Sequence, residues 1–243
     1  MGSITRPTGS VARVARSTTR DALLEQGALL FARHGVAGVT ARQLHEAIGA
    51  RNESALHYHF GDREGLAVEI LRIHLEAVES RRAPLVVEIA AEDLTQDLRA
   101  LVHALAAPMA EDLESPLGRA HLRLVAQLSH PSLAYGPPFV LIRAASGKAV
   151  VRWLWAALDW LPAPIRGERL AALRSELISL FGLRAQLLDE KPGDREISPP
   201  DLFFNNLVDL LVAGLSADPS PATLAAAESC ADTPAASAPT PAP

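Results

Sequence analysis

The chain has 243 residues, 49% apolar and 21% charged, the balance of a globular protein with ample material for a core. No apolar run reaches the ~18 residues of a membrane span, and Cys230, the only cysteine, excludes an internal disulfide and any cysteine-rich metal centre. The net charge of −5 looks unsuited to a nucleic-acid partner until it is divided: residues 1–60 carry seven arginines and four acids, net +3, and residues 61–243 carry sixteen basic and twenty-four acidic residues, net −8.

The first twenty residues contain Arg6, Arg13, Arg16 and Arg20, no acid and no apolar stretch of the kind that opens a signal peptide. The expected location is the cytoplasm, and residues 1–15 are expected to be a disordered basic arm. A first helix starts at Thr18 or Thr19, whose hydroxyl can accept an orphan backbone N–H, with Asp21 in the positive first turn. Leu23, Leu24, Gly27, Leu30 and Phe31 make its apolar face, and Gly35 suits the left-handed residue that closes it. The spacing of Thr40 and Gln43 predicts a capping box opening a short second helix, which Gly49 stops after Leu44 and Ile48. Asn52 can cap a third helix with Leu56 and Phe60 as its buried pair. Gly61 and Asp62 end that helix and cap a fourth, whose stripe of Leu66, Ile70, Ile73 and Ala77 runs towards an end at Arg81 and Arg82. Three short helices within roughly 45 residues, with a glycine turn between the second and third, outline a helix-turn-helix.

Helical spacing continues beyond. One helix is expected at about residues 93–107, and another begins at Ser115-Pro116, a cap followed by proline in the first turn. Residues 130–138 read as a loop, 139–161 as a strongly apolar helix, 164–190 as a longer amphipathic one, 191–200 as a second loop and 201–216 as a last apolar helix. Residues 217–243 hold ten alanines and six prolines and are expected to be a disordered tail. The fold class is all-α, with about nine helices.

The stretch from Gln43 to Leu66 resembles the DNA-binding region of the TetR family of transcriptional regulators. The matching pieces are Leu30-Phe31 followed by Gly35, Thr40 opening helix two, Gly49 in the turn, Tyr58-His59-Phe60 closing helix three, and Arg63, Glu64 and Leu66 opening helix four. The resemblance covers residues 18–70. The commonest family spacing puts ten steps between the turn glycine and the phenylalanine, whereas Gly49 to Phe60 is eleven, and His57 stands where tyrosine is usual. A subgroup with Arg-Asn in the turn, here Arg51-Asn52, and Tyr-His-Phe-Gly after it looks similar. The resemblance implies a helix-turn-helix DNA-binding domain at 16–61 and an effector-binding and dimerisation domain at 62–216. It also implies a homodimer on a palindromic double-stranded operator, its recognition helices about one DNA turn (~34 Å) apart, released by a small-molecule effector, for which the apolar body favours a hydrophobic one.

The residue chemistry fits that use. With Leu56 and Phe60 buried, helix three shows Glu53, Ser54, His57 and Tyr58, of which Glu53 could accept from a cytosine amino group and Ser54 pair with several bases. Tyr58 and His59 are phosphate contacts by family resemblance. Thr40 and Arg42 at the start of helix two and Arg63 at that of helix four suit phosphates, Arg20 could follow the backbone or a minor groove, and Arg51 and Asn52 complete the DNA-binding set. His57 and His59, two apart, face different sides and make a poor metal pair, while His34, His45 and His74 read as surface or satisfied core residues. No nucleophile, zinc-protease or phosphate-loop motif occurs, so no enzymatic activity, cofactor or metal is expected. Trp153 and Trp160 share one face, as pocket or core. Leu173, Leu177, Leu180, Leu187 and Leu188, then Leu207, Leu210, Leu211 and Leu215, suit a helix-pair interface with a second subunit. No effector residues are assigned. The alternatives are an activating or effector-independent regulator and, in another class, a helical small-molecule-binding protein with a vestigial head.

Overall fold

The computed structural model describes residues 18–49, 54–129, 145–190 and 196–231, which form ten helices and no strand. The basic arm 1–15, the turn residues Arg51, Asn52 and Glu53, the loop 130–138 and the last part of the tail lie outside the described residues.

The head is built from three helices and the start of a fourth: α1 (Thr19–His34), α2 (Ala41–Ala47), α3 (Ser54–Phe60) and α4 (Arg63–Ala91). The expected caps are in place. Thr18 and Asp21 form a capping box on α1, Thr40 and Gln43 one on α2, and the Asp62 carboxylate accepts the Gly65 N–H at 2.7 Å to open α4. Gly49, after α2, sits at φ 63°, a backbone region that side chains disfavour, which is why glycine serves there.

The body comprises the rest of α4, then α5 (Leu98–Asp112), α6 (Pro116–Leu128), α7 (Ala145–Ala157), α8 (Ala163–Glu190), α9 (Pro200–Ser216) and α10 (Pro221–Ala231). Several boundaries differ from the sequence expectation, among them that of the apolar helix expected at 139–161, which is described from Ala145 and ends at Ala157. α4 does not stop at Arg81-Arg82 but continues through Pro84, because Val78, Arg82 and Ile89 are buried along its second half and packing outweighs the one lost N–H. α5 starts later than expected, where the Asp97 side chain accepts the Ala100 N–H at 2.9 Å. The alanine-rich stretch is partly ordered: Ser220 accepts the Thr223 N–H, Pro221 fits the first turn, alanine favours the helical backbone, and Ala227 is buried against the body.

Two apolar cores divide the molecule. One collects Leu23, Phe31, Val39, Leu44, Leu56, Leu66 and Ile70 from the head with Ala120, Leu124 and Leu128 of α6. The other runs through α4, α5, α7, α8 and α9 and includes Leu122 of α6. α6 thus presents one face to each core, and the head core does not close at residue 61.

Candidate nucleic-acid interface

The second and third helices make the candidate surface. On α3, Leu56 is buried and Phe60 half-buried, while Ser54, His57, Tyr58 and His59 are exposed. Tyr58 is 83% exposed, the most open large apolar side chain described in the chain. Its ring meets that of His59 edge-on at 4.9 Å. Leaving an aromatic of that size in water forgoes the burial that favours such side chains elsewhere. The His57 Nδ1 lies 2.8 Å from the Gly61 carbonyl oxygen. A carbonyl only accepts, so Nδ1 carries a proton, and Nε2 of the neutral ring is left as an acceptor.

The basic residues of the head are engaged in different ways. Arg42 on α2 has an 80% exposed side chain and pairs with Glu46 one turn on, at 2.7 Å. Arg63 reaches back from α4 to the loop before α2: its Nη1 donates to the carbonyls of Ala37 and Val39 at 3.3 and 3.2 Å, and Nε to Glu64. Arg20 pairs with Glu69 of α4 and its guanidinium lies 5.6 Å from the Phe60 ring centroid. The Thr40 hydroxyl is shared with Gln43 in the cap. Thr40, Arg42, Ser54, His57, Tyr58 and His59 are therefore brought to the α2–α3 side, whereas Arg20 and Arg63 also brace the head internally. Arg51, Asn52 and Glu53 fall outside the described residues.

His45, read from the sequence as an ordinary surface or core histidine, is only 3% exposed and accepts a backbone N–H from α3. A lone histidine on a short helix gave no signal of that tie.

A polar seam leads from the head into the body. Glu69 binds Arg20 and Arg72 together, and the Arg72 hydrogen bonds hold its carboxyl below the usual range. One helical span further, His74 of α4 stacks near His121 of α6, ring centroids 4.8 Å apart, beside Asp112 and Arg81. Burial pushes His74 down to about 3, with His121 and Arg81 adding to the shift, and His121 down to about 4. The same burial pushes the Asp112 carboxyl up to about 6, against the pull of Arg81, whose Nη2 donates to Oδ1 at 2.8 Å.

The leucines expected between subunits divide. Leu173, Leu177, Leu207, Leu211 and Leu215 belong to the chain's own core, Leu180, Leu187 and Leu188 are half-buried, and Leu210 is exposed. Leu183 on α8 and Leu202 on α9, which periodicity did not single out, are 52% and 59% exposed beside Leu210 at 60%. Trp153 is half-buried against the body core, and Trp155 and Trp160 are exposed, each beneath an arginine, Arg166 and Arg169.

No protein-family model matches the chain. A stretch of 56 residues, 23% of this chain and 29% of the relative, is 39% identical to the HTH-type transcriptional repressor AcnR of Corynebacterium glutamicum. The repressor of the same name from Corynebacterium efficiens is 41% identical over 54 residues, 22% of this chain and 28% of the relative. The chain thus spans less than a third of the length of the curated relatives it matches. Among solved structures, the TetR family transcriptional regulator PfmR of Thermus thermophilus superposes with a TM-score of 0.44 at 20% identity, over 80% of this chain and 99% of that one. A TetR-family regulator of Mesorhizobium loti gives a TM-score of 0.40 at 14% identity, over 83% and 98%.

Proposed function

We propose that the chain is a TetR-like transcriptional regulator that binds double-stranded DNA through α2 and α3. The observation that carries this reading is Tyr58, 83% exposed on a short helix whose opposite side is anchored by Leu56. An open aromatic flanked by His57, His59 and Ser54 suits a helix that enters the major groove and grips phosphates at its edges. The 56-residue match to a helix-turn-helix repressor supports the same use of the head.

In this reading Ser54 and His57, with Glu53, read base edges, while Thr40, Arg42, Tyr58 and His59, with Arg51 and Asn52, hold the backbone. Arg20 and Arg63 hold phosphates from positions where they also brace α1, α4 and the loop before α2. The chain acts as a homodimeric repressor on a palindromic operator, and the exposed Leu183, Leu202 and Leu210 on α8 and α9 support a second subunit there. A small apolar effector in the body shifts the dimer towards a form whose recognition helices no longer match the half-sites, by no more than its preference between the two forms.

The test is selection of genomic fragments by the purified protein at low and high salt. An enriched palindrome that survives the higher salt is the expected result. Binding that falls steeply with salt and enriches no sequence reflects phosphate attraction alone and removes the reading.

A further inference from the structure

The body holds an apolar cavity of about 280 Å³ between α4, α5, α7 and α8. Met109, Leu154, Leu173 and Ile178 contribute to its walls, and the polar side chains lining it are two arginines, Arg82 and Arg174, with no carboxylate among the lining residues. Arg82 is only 3% exposed. Its Nε donates to the Ala104 carbonyl at 3.2 Å, Nη2 to the Leu105 carbonyl at 3.5 Å, and Nη1 to Glu79 at 3.5 Å. These are long bonds for a buried cation, and a guanidinium has five N–H donors, so among the described residues one on each terminal nitrogen remains. Glu79 is not among the lining residues, and its other oxygen accepts the Ser146 N–H of α7 at 2.6 Å. Burial lowers the Arg82 pKa, against the pull of Glu79. Arg174, exposed on α8, lies at the mouth.

We propose that this cavity binds a small amphipathic carboxylate, its oxygens facing Arg82 and Arg174 and its hydrocarbon body against the apolar walls. A planar two-oxygen group matches the two remaining N–H donors of Arg82, and a positive, acid-free lining in a low dielectric favours an anion over a neutral or cationic molecule of equal size. Arg82 lies on α4, the helix whose first turn belongs to the head, so the ligand reaches the helix that links the two cores. The proposal names the ligand class for the regulator proposed above and rests on that reading only for its effect on DNA.

The full chain is titrated calorimetrically with octanoate, octanol and octylamine, and its thermal transition is followed with each. Octanoate binds saturably and raises the transition temperature, while octanol and octylamine bind about tenfold more weakly or worse, the scale of a charge-assisted hydrogen bond. Arg174→Gln, at an exposed position, leaves the unliganded transition in place and weakens octanoate about tenfold without weakening octanol. Equal binding of octanoate and octanol, undiminished octanoate affinity in Arg174→Gln, or no saturable octanoate binding overturns the proposal. DNA binding in the same preparation separates the two readings. Octanoate binding that leaves DNA affinity unchanged keeps the carboxylate site and removes its regulatory consequence. Operator binding without octanoate binding keeps the regulator and removes the site.

Discussion

The backbone N–H of Leu56 donates to Nε2 of His45, 3.4 Å away, across the turn between α2 and α3. The first N–H groups of any helix lack partners within it, and here one side chain of the preceding helix supplies one. Because Nε2 accepts, the neutral ring carries its proton on buried Nδ1, which has no partner among the described residues. His45→Leu removes the acceptor and leaves the Leu56 N–H buried alone, at about 1 kcal/mol of stability. The expected signature is faster amide exchange at Leu56 and weaker operator binding, with His45→Gln, which keeps an acceptor, retaining more of both.

Tyr58→Ala separates function from folding. The side chain is 83% exposed, so chemical denaturation should show a change within about 0.5 kcal/mol. Operator affinity should fall about tenfold, the loss of one good contact. Tyr58→Phe then tells whether the hydroxyl or the ring matters, since only a hydroxyl contact is lost in that variant.

The buried histidines make the fold acid-sensitive in a defined direction. His74 and His121 are pushed down to about 3 and about 4, below the 6.5 of a free imidazole. Their folded forms refuse protons that the unfolded chain accepts, so the stability they contribute is complete above about pH 6.5 and drains as pH falls towards 4. Asp112, pushed up to about 6, acts oppositely: its burial costs stability as pH rises from 3.8 through 6. Two histidines outweigh one carboxylate, so stability should fall from pH 6.5 to 5, and His74→Leu should reduce that slope by up to about 1.4 kcal/mol per pH unit. Urea denaturation at several pH values measures it.

α6 and α8 pack tightly where Gly182 faces Ala126. A Cβ added at Gly182 would lie 2.5 Å from the Ala126 Cβ, which cannot turn aside. Gly182→Ala gains about 1 kcal/mol of helix propensity and loses about 1–3 kcal/mol to overpacking, so a small net loss is expected. Gly182→Leu should lower the thermal midpoint markedly more. A rise in stability for either variant would mean the helices part at little cost.

The dimer reading is checked by placing charge on the exposed leucines. Leu202→Glu with Leu210→Glu should sediment as a monomer and lose most operator affinity, while circular dichroism stays helical, because both side chains are about 60% exposed and outside the core. A dimer that persists in this variant would move the interface elsewhere.

Local chemistry was the legible part of the fold. Thr18, Thr40, Asp62 and Ser115 announce their helices because a cap is a contact between residues three apart, and each is found as expected. Less visible was what distant residues decide. The passage of α4 through Pro84 depends on what lies against Val78 and Ile89, and the helix at Pro221–Ala231 depends on a wall for Ala227. The candidate surface shows the same division. Tyr58 was legible because Leu56 fixes the inner side of α3, but the grip of Arg63 on Ala37 and Val39, across more than twenty residues, was not. Nor could periodicity tell that Leu211 serves the chain's own core while Leu210 faces out, since neighbouring leucines look alike until a partner helix is placed.

The two-sided α6 bears on how such a protein could be divided or recombined. Its Ala120, Leu124 and Leu128 close the core around Phe31 and Leu66, and Gln127 donates to the Ala32 carbonyl at 2.9 Å. A chain cut after α4 would arrive with one wall of its head missing and its apolar interior open to water. Grafting this head onto another body therefore requires the recipient to offer the same small-and-leucine face at the same place. The natural unit of exchange is a discontinuous one, with a stretch of the body travelling along.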